Sequence, residues 1–518
     1  MAAKVRKKSA KSKRPTAHPP EIQAALNLAI TCHEQGNLVT AERIYRDILR
    51  QKPSCAQALH MLGVVASQTG HFEEASELIS KALQLAPDDQ NAHFNLAVCL
   101  QHLGNLQQAE RHYRTTLKLA PKRNDARANL AIVLRDLDRL DEAITLLRKA
   151  VEQEPDHPEL LNNLATLVKT RGDFEDSIPI YRKALAITPE DAELHFNLAG
   201  SLLVTGKLEP GWREYSWRWR SQAFMAANPV RPVPYPMWQG ENLAGKRLFI
   251  RREQGIGDEI MFATCLPDLM AVARHCTVEC DPRLSGLLRR SFPGIHICTA
   301  NDPLPAKTDI DLALFAGDLP SLFRTNLQHF PTPSPRLMVD PKLAEQIDRQ
   351  LATLVAKDKP LIGLSWRGGR EPRVRATRSI PLSQWAPLLK GFEAHWINLQ
   401  YGDCQAELEA SGLPIVQLPG IDPMADLESF AALVQRLDLV ISIDNSTVHL
   451  SGAVGTPCWV LLPKAHDWRW FSPLETSPWY DSLRLFRRSS QYASPSSLFC
   501  TISQALTRFF PTPVSRKN

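Results

Sequence analysis

Between residues 22 and 221 the apolar positions keep a clock of 34 residues. Leu28, Leu62, Leu96, Leu130, Leu164 and Leu198 share one phase, and Ala41, Ala75, Ala109 and Ala143 another, with Ser177 next in line. Gly36, Gly70, Gly104, Gly172 and Gly206 form a third row, interrupted by Asp138, and Pro53, Pro87, Pro121, Pro155 and Pro189 a fourth. Equal intervals of this kind predict stacked helical hairpins, none of which buries its apolar face alone. The glycine suits the tight turn between two helices. The alanine lets the second helix approach the first, and the proline ends it. The pattern predicts five full hairpins over 22–191 and a sixth, degenerate one at 192–221. There Gly211 replaces the alanine, and Trp212, Tyr215, Trp217 and Trp219 follow. These aromatics are expected to pack the array onto the next domain.

After a proline-rich linker, 222–243 (Pro229, Pro232, Pro234, Pro236), the pattern changes to short apolar runs alternating with helical stretches, which predicts an α/β region. Lys246–Arg252 reads as a buried strand running into Gln254-Gly255-Ile256-Gly257-Asp258-Glu259 and a helix over Ile260–Leu269. Further strands are expected at Cys276–Cys280, Ile295–Thr299 and Asp309–Phe315, closing a first lobe at 244–340. A second lobe, 341–511, is expected to hold strands at Pro360–Trp366, His395–Gln400, Asp438–Ile443 and Cys458–Leu462.

Two strand ends carry candidate chemistry. The Gly255/Gly257 turn is not a dinucleotide fingerprint, because Ile260 stands where a third glycine is needed, and no P-loop lysine is present. It leaves Asp258 opening a helix at the carboxyl edge of a strand, where open α/β sheets bind ligands; the plainer role for Asp258 is a helix cap. At the second, Asp444, Asn445, Ser446 and Thr447 precede a helix over Val448–Val454. Hydroxyls, free backbone N–H groups and the helix dipole make such a turn a diphosphate cradle. Arg367, Arg370, Arg373, Arg375 and Arg378 put five cations into one loop after Pro360–Trp366, which suits phosphate recognition or is simply a solvated face.

Charge alters the picture only at the start of the chain. Net charge is +6, but residues 1–20 hold seven cationic residues and no acid. Removing them leaves a nearly neutral body with no basic face for nucleic acid; the tail, low in apolar residues, is read as a disordered basic arm, either simply solvated or weakly drawn to nucleic acid or anionic lipid. The ten cysteines are scattered, which suggests reduced thiols, no zinc site and a cytoplasmic chain. No apolar run reaches the roughly 18 residues of a membrane span.

The repeats over 21–221 resemble the tetratricopeptide-repeat (TPR) family, an all-α superhelix whose concave face can bind peptides. Asn27, Asn95, Asn129, Asn163 and Asn197 share one phase on the first helix of each hairpin, with Met61 interrupting. An amide ladder there can hydrogen-bond an extended peptide, or each amide can bond the neighbouring repeat. The segment Asp438–Pro463, with the Gly255–Asp258 turn, resembles the ADP-heptose:lipopolysaccharide heptosyltransferase family, which has the two-lobed, double Rossmann-like GT-B fold. His466-Asp467-Trp468-Arg469-Trp470 and Arg484-Leu485-Phe486-Arg487 are similar to a bacterial subgroup in which repeats precede that domain. The resemblance implies a metal-independent, inverting transferase with no cofactor beyond a nucleotide-sugar substrate. It implies Asp258 as base and Asp444, Asn445, Ser446, Thr447 and His449 as the donor segment, with Arg378 near the donor phosphates; His449 also reads as a core histidine. The expected partners are a nucleotide-sugar donor and a protein acceptor recruited by the repeats. The alternative is a TPR interaction scaffold carrying a catalytically degenerate lobe.

Overall fold

The computed structural model describes residues 19–356, 358–369, 372–489 and 495–511. Residues 1–18, which make up nearly all of the basic arm, and Arg370 lie outside them, as do the side chains of 372–374. The chain divides into two units, residues 1–167 and 168–518, and the boundary falls inside the helix Pro158–Thr170. Among the described residues no helix is long and apolar enough to cross a membrane.

In the first unit paired helices succeed one another, from Pro20–Glu34 and Leu38–Gln51 to Asn124–Asp136 and Leu140–Gln153. Every turn position of the glycine row has left-handed backbone, with φ of 77° at Gly36, 83° at Gly70 and 76° at Gly104. Asp138, which breaks the row in sequence, keeps the conformation with φ 60°. Ala41, Ala75, Ala109 and Ala143 are wholly buried, as a small residue at a close helix crossing must be. The second helices end at Gln51, Leu85, Leu119 and Gln153, each two residues before its proline. The leucine row is buried except for Leu28, which is 57% exposed at the open end of the described array.

The second unit begins with the last hairpins: helices Phe174–Ile187, Ala192–Val204 and Leu208–Tyr215, then a 3-10 turn over Ser216–Arg220. Ser177, standing in the alanine row, is buried, donates to Phe174 O at 2.7 Å and shares a hydroxyl–hydroxyl hydrogen bond with Ser201 Oγ at 2.8 Å. The glycine at 211 has a steric reason. A Cβ there would lie 2.6 Å from Leu203 Cδ2, so even alanine is too large. Trp212 donates its indole N–H to Arg324 O at 2.8 Å, and Trp219 stacks on Phe315 at 4.0 Å. Trp217 instead stacks on His195 inside the hairpin, at 3.9 Å.

Two parallel sheets follow. The first consists of β1 (Arg247–Arg251), β2 (His275–Cys280), β3 (His296–Thr299) and β4 (Leu312–Phe315) in the order β3-β2-β1-β4. The second has β5 (Leu361–Ser365), β6 (His395–Asn398), β7 (Ile415–Val416), β8 (Leu439–Ile443), β9 (Cys458–Leu462) and β10 (Leu483–Arg487) in the order β10-β9-β8-β5-β6-β7. In chain order the second sheet is doubly wound, reversing between β5 and β8, and the first reverses between β1 and β4. Such reversals open crevices at the carboxyl edge of a sheet.

Some local expectations give way. The stretch read as linker lies along the outer edge of β4, where Ala313 N donates to Pro236 O and Trp238 N to Ala313 O. The helix expected at Ile260–Leu269 starts at Ile256, directly after Gly255, and a 3-10 turn at Ala263–Cys265 interrupts it before Pro267. The arginine loop is partly helical, over Pro372–Arg378. β7, β10 and the helix Ser496–Phe509 were not expected.

Candidate functional site

The loops leaving β1, β5, β6, β8 and β9 converge on one cleft of about 590 Å³ within the second unit. Its lining includes Gly255, Gly257 and Asp258 from the first sheet, and Arg378, Asp444, Asn445, Ser446, Thr447 and His449 from the second. Every candidate residue read from the two strand ends is thus brought to one space. A smaller cavity of about 440 Å³ adjoins it and shares Gln400, Gly402 and Met424.

At the β8 end, Asn445 is both hinge and cap. Its Oδ1 accepts the Thr447 N–H at 3.0 Å, while its amide donates to Ser365 Oγ at 2.8 Å and Arg367 O at 3.3 Å. It therefore ties the β8 turn to the β5 turn and opens the helix Ser446–Val454 toward the cleft. Gly368 must be a glycine for this approach, since a Cβ there would sit 2.9 Å from Asn445 Cβ. The Thr447 hydroxyl is buried and without a hydrogen-bond partner among the described residues.

At the β1 end, Asp258 accepts the Gly255 N–H on Oδ2 at 3.1 Å, so the capping role is real. Its Oδ1 accepts from Arg469 Nε at 2.7 Å. Gly257 brings this turn against the other lobe: a Cβ there would be 2.9 Å from His449 Cδ2. His449 is buried, stacks on Trp470 with centroids 5.1 Å apart and meets the Tyr480 hydroxyl through Nδ1 at 3.2 Å. Burial lowers it to about 4, outweighing the attraction of Asp258 and Asp444, so the ring is neutral. It is a core histidine and a wall of the cleft at once.

Arginines and carboxylates alternate through the site. Arg378 faces Asp444 at 3.3 Å and Asp467 at 3.6 Å, and Arg469 holds Asp467 at 2.5 Å and Asp258. Burial alone would raise the Asp467 carboxyl, but Arg469 and Arg378 hold it well below the usual carboxylate range. The same cation–carboxylate contacts keep Arg378 raised, Asp444 being the largest cause. Arg375 is exposed at the rim, and Arg367 pairs with Glu407 at 3.1 Å. Among the described residues no group of acids, histidines and cysteines is arranged to hold a metal ion.

Asp467, Arg469 and Gln254 were not read as site residues. The first two stand in the aromatic stretch 466–470, where flanking tryptophans were the available signal: charges between large apolar rings after a buried strand have to find partners indoors.

The asparagine row is placed as follows. Asn27 is exposed and accepts from Gln23 at 3.1 Å, and Asn95 donates to His60 Nε2 of the preceding hairpin at 2.9 Å. Asn129 hydrogen-bonds Tyr113, and Asn163 is half-buried. Asn197, in the second unit, accepts Lys169 Nζ on its backbone oxygen at 3.3 Å.

Tetratricopeptide-repeat profiles match residues 22–47, 66–131 and 122–190, and the N-terminal region is a TPR array. Protein FlbA of Caulobacter vibrioides is 36% identical over 306 residues, which is 55% of this chain and 50% of that protein. The chain thus spans about half the length of this curated relative. Among solved structures, MamA (19% identical; 33% of this chain, 94% of that one) and YrrB, described as a TPR protein with an unusual peptide-binding site (24% identical; 33% and 87%), each align with a TM-score of 0.30. A tetratricopeptide repeat protein from Parabacteroides merdae (20% identical; 40% and 78%) aligns with 0.33.

Proposed function

We propose that the second unit is a GT-B-type glycosyltransferase that moves a sugar from a nucleotide-sugar donor to a protein acceptor recruited by the repeats, in the cytoplasm. The observation that carries this reading is the convergence of Asp258 from the first sheet with Arg378 and the Asp444–Thr447 turn from the second, across one cleft at both carboxyl edges. A donor diphosphate fits the second-lobe side. The unpartnered Thr447 hydroxyl, the N-terminus of Ser446–Val454 and the Arg378 guanidinium are the groups that would take its oxygens.

Asp258 lies opposite, where an acceptor hydroxyl would attack the anomeric carbon as the bond to the diphosphate breaks. The hydroxyl proton passes to the Asp258 carboxylate, and the leaving diphosphate takes the electron pair, stabilised by Arg378 and the helix dipole. Attack on the face opposite the leaving group inverts the anomeric centre. This chemistry asks nothing of a metal ion.

The test is calorimetric and thermal-shift titration with ADP-, GDP-, UDP- and CMP-sugars, for wild type and Asp444→Ala. Saturable binding of one nucleotide class, weakened about tenfold or more in the variant by loss of the Arg378 partner, supports the reading. Silence from all four on folded protein would remove it. One observation favours the scaffold alternative: both Asp258 oxygens are already engaged, by Gly255 and Arg469. On that reading Asp258→Asn leaves partner capture and cellular phenotype intact. On the transferase reading it abolishes transfer while donor binding persists.

A further inference from the structure

The turn that carries Asp258 is anchored residue by residue, and its anchors come from the last repeat hairpin. Glu253 is buried and accepts Arg218 Nε at 3.1 Å, while buried Arg218 also holds Asp318 at 2.7 Å. Gly317 leaves room for this carboxylate, since a Cβ there would overlap Glu253 Oε1. Gln254 follows with φ 62°, a left-handed conformation that side-chain-bearing residues rarely adopt. Its amide donates to Tyr215 Oη at 2.7 Å, and its Oε1 accepts from Arg469 at 3.0 Å. Arg469 in turn grips Asp258, and its guanidinium lies 4.4 Å from the centre of the Trp468 ring, which packs edge-on against Trp212 and Tyr215 at 5.3 and 5.6 Å.

Glycine would sit at position 254 without strain, so the side chain must justify the conformation. The amide bridges the Tyr215 hydroxyl and Arg469 by hydrogen bonds, its two ends having opposite hydrogen-bonding character. A hydrocarbon could make neither bond, and a carboxylate would have to accept from both partners.

We propose that Gln254 is a positioning residue for Asp258, set by Tyr215 of the terminal repeat: the amide holds Arg469, and Arg469 fixes the Asp258 carboxylate in the cleft. The inference rests on the transferase reading above. It makes the last repeat hairpin a working part of the active site rather than an attachment to it.

The experiment uses the full chain and three variants: Gln254→Gly, Tyr215→Phe and, as a control at the other left-handed non-glycine among the described residues, Asp138→Gly. Gln254→Gly relieves the backbone while removing the clamp. Its melting temperature is expected at or above that of wild type, with donor affinity by calorimetry within about twofold. Its kcat is expected to fall on the order of 10- to 100-fold at little-changed donor KM, because misplacement of a reacting group acts on turnover. Tyr215→Phe loses only a hydroxyl and shows the same split to a smaller extent, whereas Asp138→Gly keeps wild-type turnover. Wild-type kcat in Gln254→Gly overturns the inference, as does a loss of activity that follows a loss of melting temperature. If Gln254→Gly fails to fold, an unchanged kcat in Tyr215→Phe overturns it by itself. A wild-type chain that binds no donor and transfers no sugar refutes the transferase reading, and this inference with it; an active wild type with indifferent variants refutes this inference alone.

Discussion

At the scale of single residues, two histidines make the fold sensitive to acid. His449 and His466 are both lowered to about 4, burial being the main cause in each. His466 is fixed as the neutral ring: Nδ1 faces the Asp467 carbonyl at 3.0 Å, so it donates there, and Nε2 accepts from Arg487 Nε at 3.0 Å. The unfolded chain binds protons at these rings near 6.5, while the folded chain resists until about 4. Stability is therefore intact above roughly pH 6.5 and falls between pH 6.5 and 4, by at most about 3 kcal/mol for each ring. Melting curves over that range should show the loss, and His466→Gln should reduce its slope. Gly257→Ala belongs to the same scale. Its Cβ meets the His449 ring, so the Asp258 turn must lift away from the second lobe. Stability should fall by about 1–3 kcal/mol in melting experiments and, on the transferase reading, donor titration should show weaker binding.

Much of the site was legible at this scale, and for one reason. Asp258 and Asp444–Thr447 each sit where a short apolar run meets a helix, so strand end and chemistry are adjacent in sequence. Arg469 reaches Asp258 across 211 residues. No periodicity reports such a pairing, and the left-handed backbone of Gln254 leaves no compositional trace because the residue is not glycine.

At the scale of elements, the repeat turns separate steric from conformational causes. A Cβ at Gly70 meets nothing within 4 Å, yet φ is 83°. Gly70→Ala is expected to cost about 1–2 kcal/mol from backbone strain alone. Asp138→Gly, at φ 60°, should gain a few tenths to about 1 kcal/mol. Thermal melts of the two variants check both signs. The 34-residue clock disclosed these hairpins because every unit repeats the same packing problem. The strands missed by sequence had no such help. β7 is two residues long, and β10 (Leu483–Arg487) turns Arg484 outward, so neither presents an unbroken apolar run. The degenerate hairpin was legible because Leu198 and Gly206 keep the 34-residue phase, but the need for glycine at 211 emerges only when Leu203 is seen beneath it.

At the scale of the whole molecule, the second unit takes in repeat structure. Ser472 N donates to Val204 O at 2.6 Å, Lys464 pairs with Asp173 at 3.1 Å, and Phe174 packs on His466 at 5.4 Å. The stretch 464–472 thus rests on the last hairpins while supplying Asp467 and Arg469 to the cleft. A chain beginning at residue 222 would leave Glu253 and Asp318 without Arg218, two buried or half-buried carboxylates with no cation. It is expected to accumulate insoluble, or to melt at least 10 °C or so below a chain beginning at 168, since removing one partner of a buried pair costs roughly 3–5 kcal/mol. Soluble yield and melting of the two fragments decide this.

The position of the boundary inside Pro158–Thr170 bears on how such a protein can be inherited. A recombination event that respects the obvious join, after the last helix of the array, would sever the bonds from Tyr215 to Gln254 and from Arg218 to Glu253 that brace the turn before Asp258. One that falls earlier, among the interchangeable hairpins of the first unit, exchanges only copies of a common part. Lineages can therefore lengthen, shorten or replace the leading repeats, while the terminal hairpins descend together with the two sheets as a single heritable block.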